Sequence, residues 1–470
     1  MTTWLELAAY VVVLTVTASY VIYATRIYLF AIKLKRKGKH KKWAREGRLP
    51  NPAPFVSILI PTYNEPNVID RILKACTSLD YDRYEVIVVD DSDDETVYKL
   101  NAWRSHPRVK VIHREHRHGW KGGALNEGLK HLHPDSEFVL IFDADFIPPP
   151  DTIKRLLRGF TDERIGAVQG AQWAILNADE NWVTRGARVL MSGAYFFDHV
   201  GKKVCDGFVQ LSGSVMMIRR DALDEVGGFG TSITEDWELT LKLYEHGYRI
   251  VYDEGVRVPC ECPSTLDRFI RQQCRWAEGH MRNFRKRLLK ILRKDGIPLR
   301  TKLDFILVGM IFFQSVFFII GVLAHTFLML TNPSWLNLLP PPISLFMFFY
   351  CGIAYPLALY LGLRADGLKP RKRDIVIALL LNLIIVPFLA WASLRGLFLS
   401  KGSFFRTFKT GRITVKLQRL KTAPSLPYHE GGYYREPRLH VSYGLVELAY
   451  PPRPLDIRPG GLCVLSYLLL

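Results

Sequence analysis

Asp143 and Asp145 straddle a single alanine directly after the apolar run Phe138-Val139-Leu140-Ile141-Phe142. Two carboxylates so spaced can approach one point where the backbone turns, and hard oxygen ligands of this kind suit Mg2+ or Mn2+. An ion held there can bridge the two phosphates of a nucleotide sugar and neutralise charge building on a departing diphosphate. A second acidic run, Asp90-Asp91-Ser92-Asp93-Asp94, ends another apolar stretch. So many carboxylates at one edge repel each other unless a cation or a hydrogen-bond donor joins them. Asp91 is the member assigned to the nucleoside or metal side, while Asp93 and Asp94 read as solvated loop residues.

Three further clusters carry compatible chemistry. Lys121-Gly122-Gly123-Ala124-Leu125-Asn126 opens a predicted helix, with glycines that allow close backbone approach and a lysine that offers a point charge to phosphate. Thr234-Glu235-Asp236 precedes the amphipathic stretch Trp237-Glu238-Leu239-Thr240-Leu241, so Glu235 and Asp236 fall at a helix N-terminus. There Asp236 is expected to be held as an anion able to take a proton from an attacking hydroxyl. Gln272, Arg275 and Trp276 lie on neighbouring turns of one helix: an amide for sugar hydroxyls, a guanidinium for bidentate phosphate pairing, and an indole for stacking on a pyranose face.

The elements that must position these groups alternate short apolar runs with longer mixed segments from Phe55 to about Gly255, the pattern of an α/β sandwich. Candidate strands are 56–60, 86–89, 109–112 and 138–142. Three of them end in polar residues, at Pro61-Thr62, Asp90-Asp91 and Asp143. Ligands of open parallel sheets bind past the carboxyl ends of strands, so these three terminations define one crevice. Thr62-Tyr63-Asn64-Glu65 stands after the first strand where a Gly-x-Gly-x-x-Gly or Walker sequence would be needed, which excludes dinucleotide-dependent oxidoreductases and P-loop kinases.

The chain has 470 residues, a formal charge of +18 and a hydrophobic fraction of 49%, so part of it is expected to face lipid. Leu7 to Ala24 is long enough for a transmembrane anchor. The basic run from Lys33 to Arg48 that follows places the next domain in the cytoplasm, against anionic lipid rather than nucleic acid, because it abuts an apolar span and has one aromatic residue, Trp43. Further apolar stretches run from Phe305 to Leu330, Ile343 to Leu363 and Ile375 to Leu399. The expected division is an N-terminal transmembrane helix over 1–32, a basic linker over 33–54, a catalytic domain over 55–284 and an interface helix over 285–303. A transmembrane region over 304–400, a loop segment over 401–415 and a tail over 416–470, rich in Pro, Tyr and Arg, complete it. The seven cysteines form no repeated spacing and read as reduced thiols facing the cytosol.

Taken in order, Pro61-Thr62-Tyr63-Asn64-Glu65, Asp90-Asp91, Lys121-Gly122-Gly123-Ala124-Leu125-Asn126, Asp143-Ala144-Asp145, Thr234-Glu235-Asp236 and Gln272-x-x-Arg275-Trp276 resemble glycosyltransferase family 2, in particular its membrane synthases of the cellulose, mannan and hyaluronan type. The resemblance covers about Phe55 to Phe284. It implies an α/β GT-A domain inserted between transmembrane helices and an inverting single displacement by a hexosyltransferase. Asp236, beside Glu235, would be the general base, and Asp143 and Asp145 would surround a Mg2+ or Mn2+ ion and the diphosphate. Thr62, Tyr63, Glu65, Asp91 and Lys121 would bind the donor, and Gln272, Arg275 and Trp276 would hold the acceptor end and the diphosphate. Gly213-Ser214 would line the acceptor site. Phe404 to Gly411 is similar to a gating loop, with Thr407 and Lys409 as its polar members and Arg406 as a departure from the usual apolar residue.

The implied activity is processive transfer from a nucleotide sugar, UDP-linked ahead of GDP-linked, to a growing β-glycan with translocation across the membrane. A lipid glycosyltransferase acting on polyprenyl phosphate or diacylglycerol is the alternative, and a non-catalytic membrane scaffold is the alternative of another class. Membrane lipid is an expected partner and nucleic acid is not. The expected location is the cytoplasmic membrane, multi-pass, with the catalytic domain cytoplasmic. Three crossings after that domain would strand Phe404 to Gly411 on the wrong side. Ile375 to Leu399, interrupted by Asn382 and Pro387, is therefore expected not to cross, with a hidden hairpin between Asn332 and Leu363 as the other possibility.

Overall fold

The computed structural model describes residues 4–37, 49–332, 341–399 and 409–414. The chain divides into two units, Met1–Leu426 and Pro427–Leu470, and all described residues belong to the first. After α1 (Trp4–Lys37), the catalytic domain begins with β1 (Phe55–Thr62), α2 (Ile69–Thr77), β2 (Tyr84–Asp90), α3 (Thr96–Trp103), β3 (Val109–His113) and α4 (Trp120–Leu129). It continues through β4 (Ser136–Ile141), α5 (Thr152–Leu157), β5 (Ile165–Ala174), α6 (Trp182–Gly193), a π-helical turn (Ala194–Asp198) and α7 (His199–Cys205). Then come β6 (Met216–Arg219), α8 (Arg220–Glu225), α9 (Glu235–Glu245), β7 (Arg249–Cys260) and α10 (Leu266–Arg293). The remaining helices are α11 (Leu299–Gly309), α12 (Gln314–Thr331), α13 (Pro341–Ala365) and α14 (Lys372–Phe398).

The seven strands form one sheet in the order β3-β2-β1-β4-β6-β5-β7. β6 runs antiparallel to both its neighbours, and the other pairs are parallel. Helices cover both faces, so the central strands are mostly apolar on both sides and their side chains divide by parity. Ile58, Ile60, Val86, Val88 and Leu140 enter one core, while Leu59, Ile87, Val89, Val139 and Ile141 enter the other. The four strands expected from the sequence are β1, β2, β3 and β4, each longer than expected by one to three residues, with β4 starting two residues earlier and ending one earlier. Thr62, Asp90 and His113 stand in one row across the carboxyl edge.

Among the described residues, four helices are long and apolar enough to cross a membrane: α1, α12, α13 and α14. The apolar stretch from Phe305 to Leu330 is not one helix. It breaks between Gly309 and Gln314, where α11 ends and α12 begins, and Arg26 of α1 pairs with Asp304 of α11 at 2.6 Å just before the break. α10 runs on to Arg293, across position 284 where the sequence had placed the end of the catalytic domain.

α14 differs from the other three apolar helices because the catalytic domain holds it at both ends. Its first turns meet α6, where a Cβ on Gly186 would lie 2.9 Å from Leu381. At its last turn Arg285 and Arg282 of α10 donate to the Leu397 and Leu399 carbonyls at 2.5 and 3.3 Å. The buried residues Ala378, Leu381, Ile385, Leu389, Ala392 and Gly396 recur every three or four positions along its whole length. Val376, Leu380, Leu383, Phe388 and Trp391 lie on the exposed side.

The turn between α13 and α14 is pinned by Asp366, which is buried on the catalytic domain. It accepts hydrogen bonds from Trp173 Nε1 at 2.8 Å, from Ser192 Oγ at 2.8 Å and from Arg188 Nη2. Removing one partner of a buried ion pair strands the other charge, so Asp366→Ala is expected to destabilise the protein by about 3–5 kcal/mol in denaturant unfolding. A loss below about 1 kcal/mol would show that the turn is not an anchor.

Candidate active site

The carboxyl edge of β1, β2 and β4 opens into a cavity of about 960 Å³. Thr62, Tyr63, Glu65, Asp91, Lys121, Asp143, Asp145, Glu235, Asp236, Gln272, Arg275, Trp276 and Lys409 all line it. Thr407 lies outside the described residues. The sequence therefore scatters these groups over some 350 positions and the sheet topology gathers them, because parallel strands deliver their carboxyl ends to one side.

Lys121 stands at the centre. The glycines after it let α4 start against two backbone segments: a Cβ on Gly122 would lie 2.0 Å from the Gly230 carbonyl oxygen, and one on Gly123 2.1 Å from that of His118. The lysine Nζ reaches Asp143 Oδ1 at 2.7 Å, Glu235 Oε1 at 3.2 Å and the Gly213 carbonyl at 2.6 Å. Burial works against its charge, but Asp143 and Glu235 outweigh it and hold the ammonium above its ordinary pKa. Gly213 has φ +81°, and a Cβ there would stand 3.2 Å from Asp236 Oδ2 and 3.3 Å from Lys121 Nζ. Ser214 donates no charge but fixes the strand end, its Oγ accepting from the Asp143 amide at 3.0 Å.

Asp236 sits in the first turn of α9, with its Oδ1 accepting from the Trp237 amide at 2.8 Å. Thr234 occupies the cap position without a side-chain capping bond. Burial, followed by the neighbouring Glu235 charge, raises the Asp236 pKa to about 7 against the lowering effect of Lys121. The helix terminus thus does not hold a firm anion as the sequence suggested. Dehydration outweighs it and leaves a carboxylate basic enough to accept a proton near neutral pH.

On the β2 side, Asp91 is clamped bidentately by Arg114, at 2.6 and 2.5 Å. The Arg117 guanidinium lies 3.8 Å from the Tyr63 ring centroid and 5.3 Å from that of Trp120. Thr62 turns its hydroxyl to Asp90 at 2.8 Å. Asp93 accepts from Asn64 Nδ2 at 2.7 Å, and Asp94 accepts from the Thr96 amide at 2.9 Å, so both stabilise the loop.

Asp145 is 1% exposed, and its Oδ2 accepts from Lys409 Nζ at 2.9 Å and from the Glu261 amide at 3.1 Å. Its Oδ1 has no hydrogen-bond partner among the described residues. A buried carboxylate oxygen left open beside Asp143 fits a divalent cation, for which the two aspartates are hard oxygen donors. No group of three His, Cys, Asp or Glu side chains among the described residues could hold a metal, so phosphate and water oxygens would have to complete the coordination.

Glu261, Arg71 and Arg114 went unnoticed in the sequence. Glu261 follows β7 and is buried against Arg71 at 2.9 Å. Its Oε2 accepts from the amides of Thr410 and Gly411 at 3.0 and 3.3 Å, tying segment 409–414 over Asp145. The available signal was positional: Glu261 and Arg114 both stand directly after strands, as the assigned aspartates do. Neutralising Glu261 weakens charge-assisted bonds of about 1.5–3 kcal/mol. Glu261→Gln is therefore expected to speed hydrogen exchange at Thr410 and Gly411 about tenfold or more, and unchanged exchange would show that Glu261 is not the anchor.

Residues 52–279 match the family model described as glycosyltransferase like family 2. Glucomannan 4-beta-mannosyltransferase 1 of Oryza sativa subsp. japonica is 35% identical over 286 residues, which is 58% of this chain and 53% of that protein. Glucomannan 4-beta-mannosyltransferase 2 of Arabidopsis thaliana is 31% identical over 282 residues, 58% of this chain and 52% of the relative. The chain spans about half the length of the curated relatives it matches. Among solved structures, a mannosyltransferase from Pyrobaculum calidifontis in complex with GDP-Man and Mn2+ has a TM-score of 0.55 at 20% identity, covering 84% of this chain and 99% of that one. That likeness is one of fold.

Proposed function

Because this chain belongs to glycosyltransferase family 2 through residues 52–279, we propose that it transfers a hexose, mannose first among the candidates, from a nucleotide diphosphate sugar to a β-linked glycan with inversion. The observation that carries this reading is the single cavity in which Asp236, Lys121, Asp143 and Trp276 meet. An acceptor hydroxyl oxygen attacks the anomeric carbon and passes its proton to the Asp236 carboxylate. The bond from that carbon to the diphosphate oxygen breaks with its electron pair leaving on the diphosphate. Lys121 neutralises the carboxylates around this point, and Arg275 and Gln272 reach the diphosphate and sugar hydroxyls. Asp143 and Asp145 would hold a Mg2+ or Mn2+ ion, which supplies Lewis-acid stabilisation of the leaving group when bound.

The names of the curated relatives support mannose as the sugar, and the complex of the fold neighbour supports GDP over UDP as the nucleotide. The UDP preference expected from the sequence gives way to GDP in this reading. We place α1, α12 and α13 across the membrane and α14 along its surface, with the catalytic domain on the cytoplasmic side. Its attachment to the domain at both ends supports this, and it returns segment 409–414 to the donor site. Processive synthesis with translocation is the first reading of the product. The continuation of the cavity among α1, α12, α13 and α14 also admits a lipid-linked acceptor.

Incubating purified protein in lipid with GDP-mannose or UDP-sugars and Mn2+, then sizing the product, tests these points together. Long mannan from GDP-mannose is expected. Transfer from UDP-sugars alone would overturn the donor assignment, and a product one sugar longer than a lipid acceptor would overturn processivity. Deprotonated Asp236 is the active base, so the rate is expected to fall as pH drops through about 7 and to level off above it. Asp236→Asn is expected to lose about 10²–10⁴-fold in turnover with donor affinity retained. Retained turnover would remove Asp236 from the role of base.

A further inference from the structure

The carboxylate that takes the proton and the side chains that reach the diphosphate stand on different helices, Asp236 on α9 and Gln272, Arg275 and Trp276 on α10. The gap between them tolerates little error, since a displacement of about 1 Å can cost about 10²-fold in rate. The contacts that fix the first turn of α9 against α10 therefore bear directly on turnover.

A threonine before a helix ordinarily caps it, its hydroxyl accepting from an amide of the first turn. Thr234 makes no such bond, and its hydroxyl is turned to α10 instead. Asn283 Nδ2 donates to Thr234 Oγ1 at 3.2 Å and to Ser232 Oγ at 2.9 Å. One turn earlier on α10, a Cβ on Gly279 would lie 2.5 Å from the same Thr234 oxygen, so the absence of a side chain is what lets the two segments meet. One turn earlier again, Arg275 Nη1 donates to the Ile233 carbonyl at 3.4 Å. Arg275, Gly279 and Asn283 are spaced by four, so they form one stripe about 12 Å long on the α10 surface, and residues 232–234 lie along it.

Asn283 is 2% exposed and Thr234 6%. An amide buried this deeply is costly unless it is hydrogen-bonded, and every partner of its Nδ2 among the described residues lies in the segment leading into Asp236. A second contact acts just after the carboxylate. The Trp237 ring stacks on His280 with centroids 4.0 Å apart, and its Nε1 donates to the His280 carbonyl at 3.2 Å. Burial pushes the His280 imidazole down to about 3, so it is neutral, and its Nε2 donates to the Val308 carbonyl at 2.9 Å. The stack sets the spacing of the two helices, and Asn283 sets the register of the turn that carries the carboxylate.

We propose that Asn283 is a positioning residue for the transfer step: through Thr234 it holds Asp236 at the distance from Arg275 and Trp276 that the displacement needs. This role rests on the glycosyl-transfer reading above. The test measures kcat and donor KM with GDP-mannose and Mn2+, and GDP affinity by titration calorimetry, in wild type, Asn283→Ala, Thr234→Val and the double variant. Asn283→Ala removes the amide, and Thr234→Val removes the hydroxyl at nearly constant shape. Each is expected to lower kcat by about ten- to hundredfold while donor KM and GDP affinity stay within about twofold. The double variant is expected to lose no more than the worse single one, because both act through one bond. Thr234→Ser, which keeps the hydroxyl, is expected to recover most of the turnover that Thr234→Val loses. Wild-type kcat in both single variants overturns the positioning role and leaves the transferase reading intact. A parallel loss of GDP affinity in both would assign the contact to stability alone, and losses that multiply in the double variant would show two separate defects; either result also overturns it. Wild type that transfers no sugar overturns the transferase reading, and this role falls with it.

Discussion

The balance between one buried ammonium and the carboxylates around it is the constraint on which the rest of the site depends. Asp143 after β4 and Glu235 and Asp236 in the first turn of α9 are brought within reach of one another, and their mutual repulsion at low dielectric would force protonation or separation without a counter-charge. Lys121 supplies it, held by two carboxylates and the Gly213 carbonyl. The positive φ of Gly213 and the side-chain-free start of α4 are what allow the lysine to arrive there. Asp236 then keeps a raised pKa because its partners only partly offset its burial.

A second balance operates one step away. Asp145 is buried with one oxygen satisfied by Lys409 and the Glu261 amide and the other open. Glu261 joins Arg71, Asp145 and segment 409–414 into one arrangement, linking the strap over the site to the carboxylate beneath it. The helices outside the domain are held by the same kind of interaction. Asp366 ties the α13–α14 turn to the domain and Arg26 ties α1 to the π-helical turn and α11, which makes the membrane-facing helices walls of the same cavity.

Much of this was legible in the sequence, for a physical reason. Strands buried on both faces are continuous apolar runs, and polar residues at their carboxyl ends have few purposes other than ligand contact, so β1, β2 and β4 and the crevice they share could be read directly. The order of the acidic motifs carried the resemblance to glycosyltransferase family 2, whose model matches residues 52–279. What escaped were groups that matter only through contacts between distant segments. Glu261 lies between two cysteines, and Arg71 in an amphipathic helix, with nothing local to mark either. The π-helical turn has no composition of its own. Asp236 at a helix start suggested a stabilised anion, whereas burial, invisible in one dimension, decides its protonation. The break between α11 and α12 also escaped, because Phe305 to Leu330 is apolar throughout and the polar pairing that marks it, Arg26 with Asp304, bridges 278 positions.

Inside one cavity, Lys121 lowers the Asp236 pKa against the burial and the Glu235 charge that raise it. The most direct measurement is the pH dependence of turnover in wild type and in Lys121→Met. Removing the ammonium takes away an influence that lowers the Asp236 pKa, so the acid limb is expected to move to higher pH by about one unit or more, the shift an opposite charge within a few ångströms exerts. An acid limb at the same pH in both proteins would contradict the account.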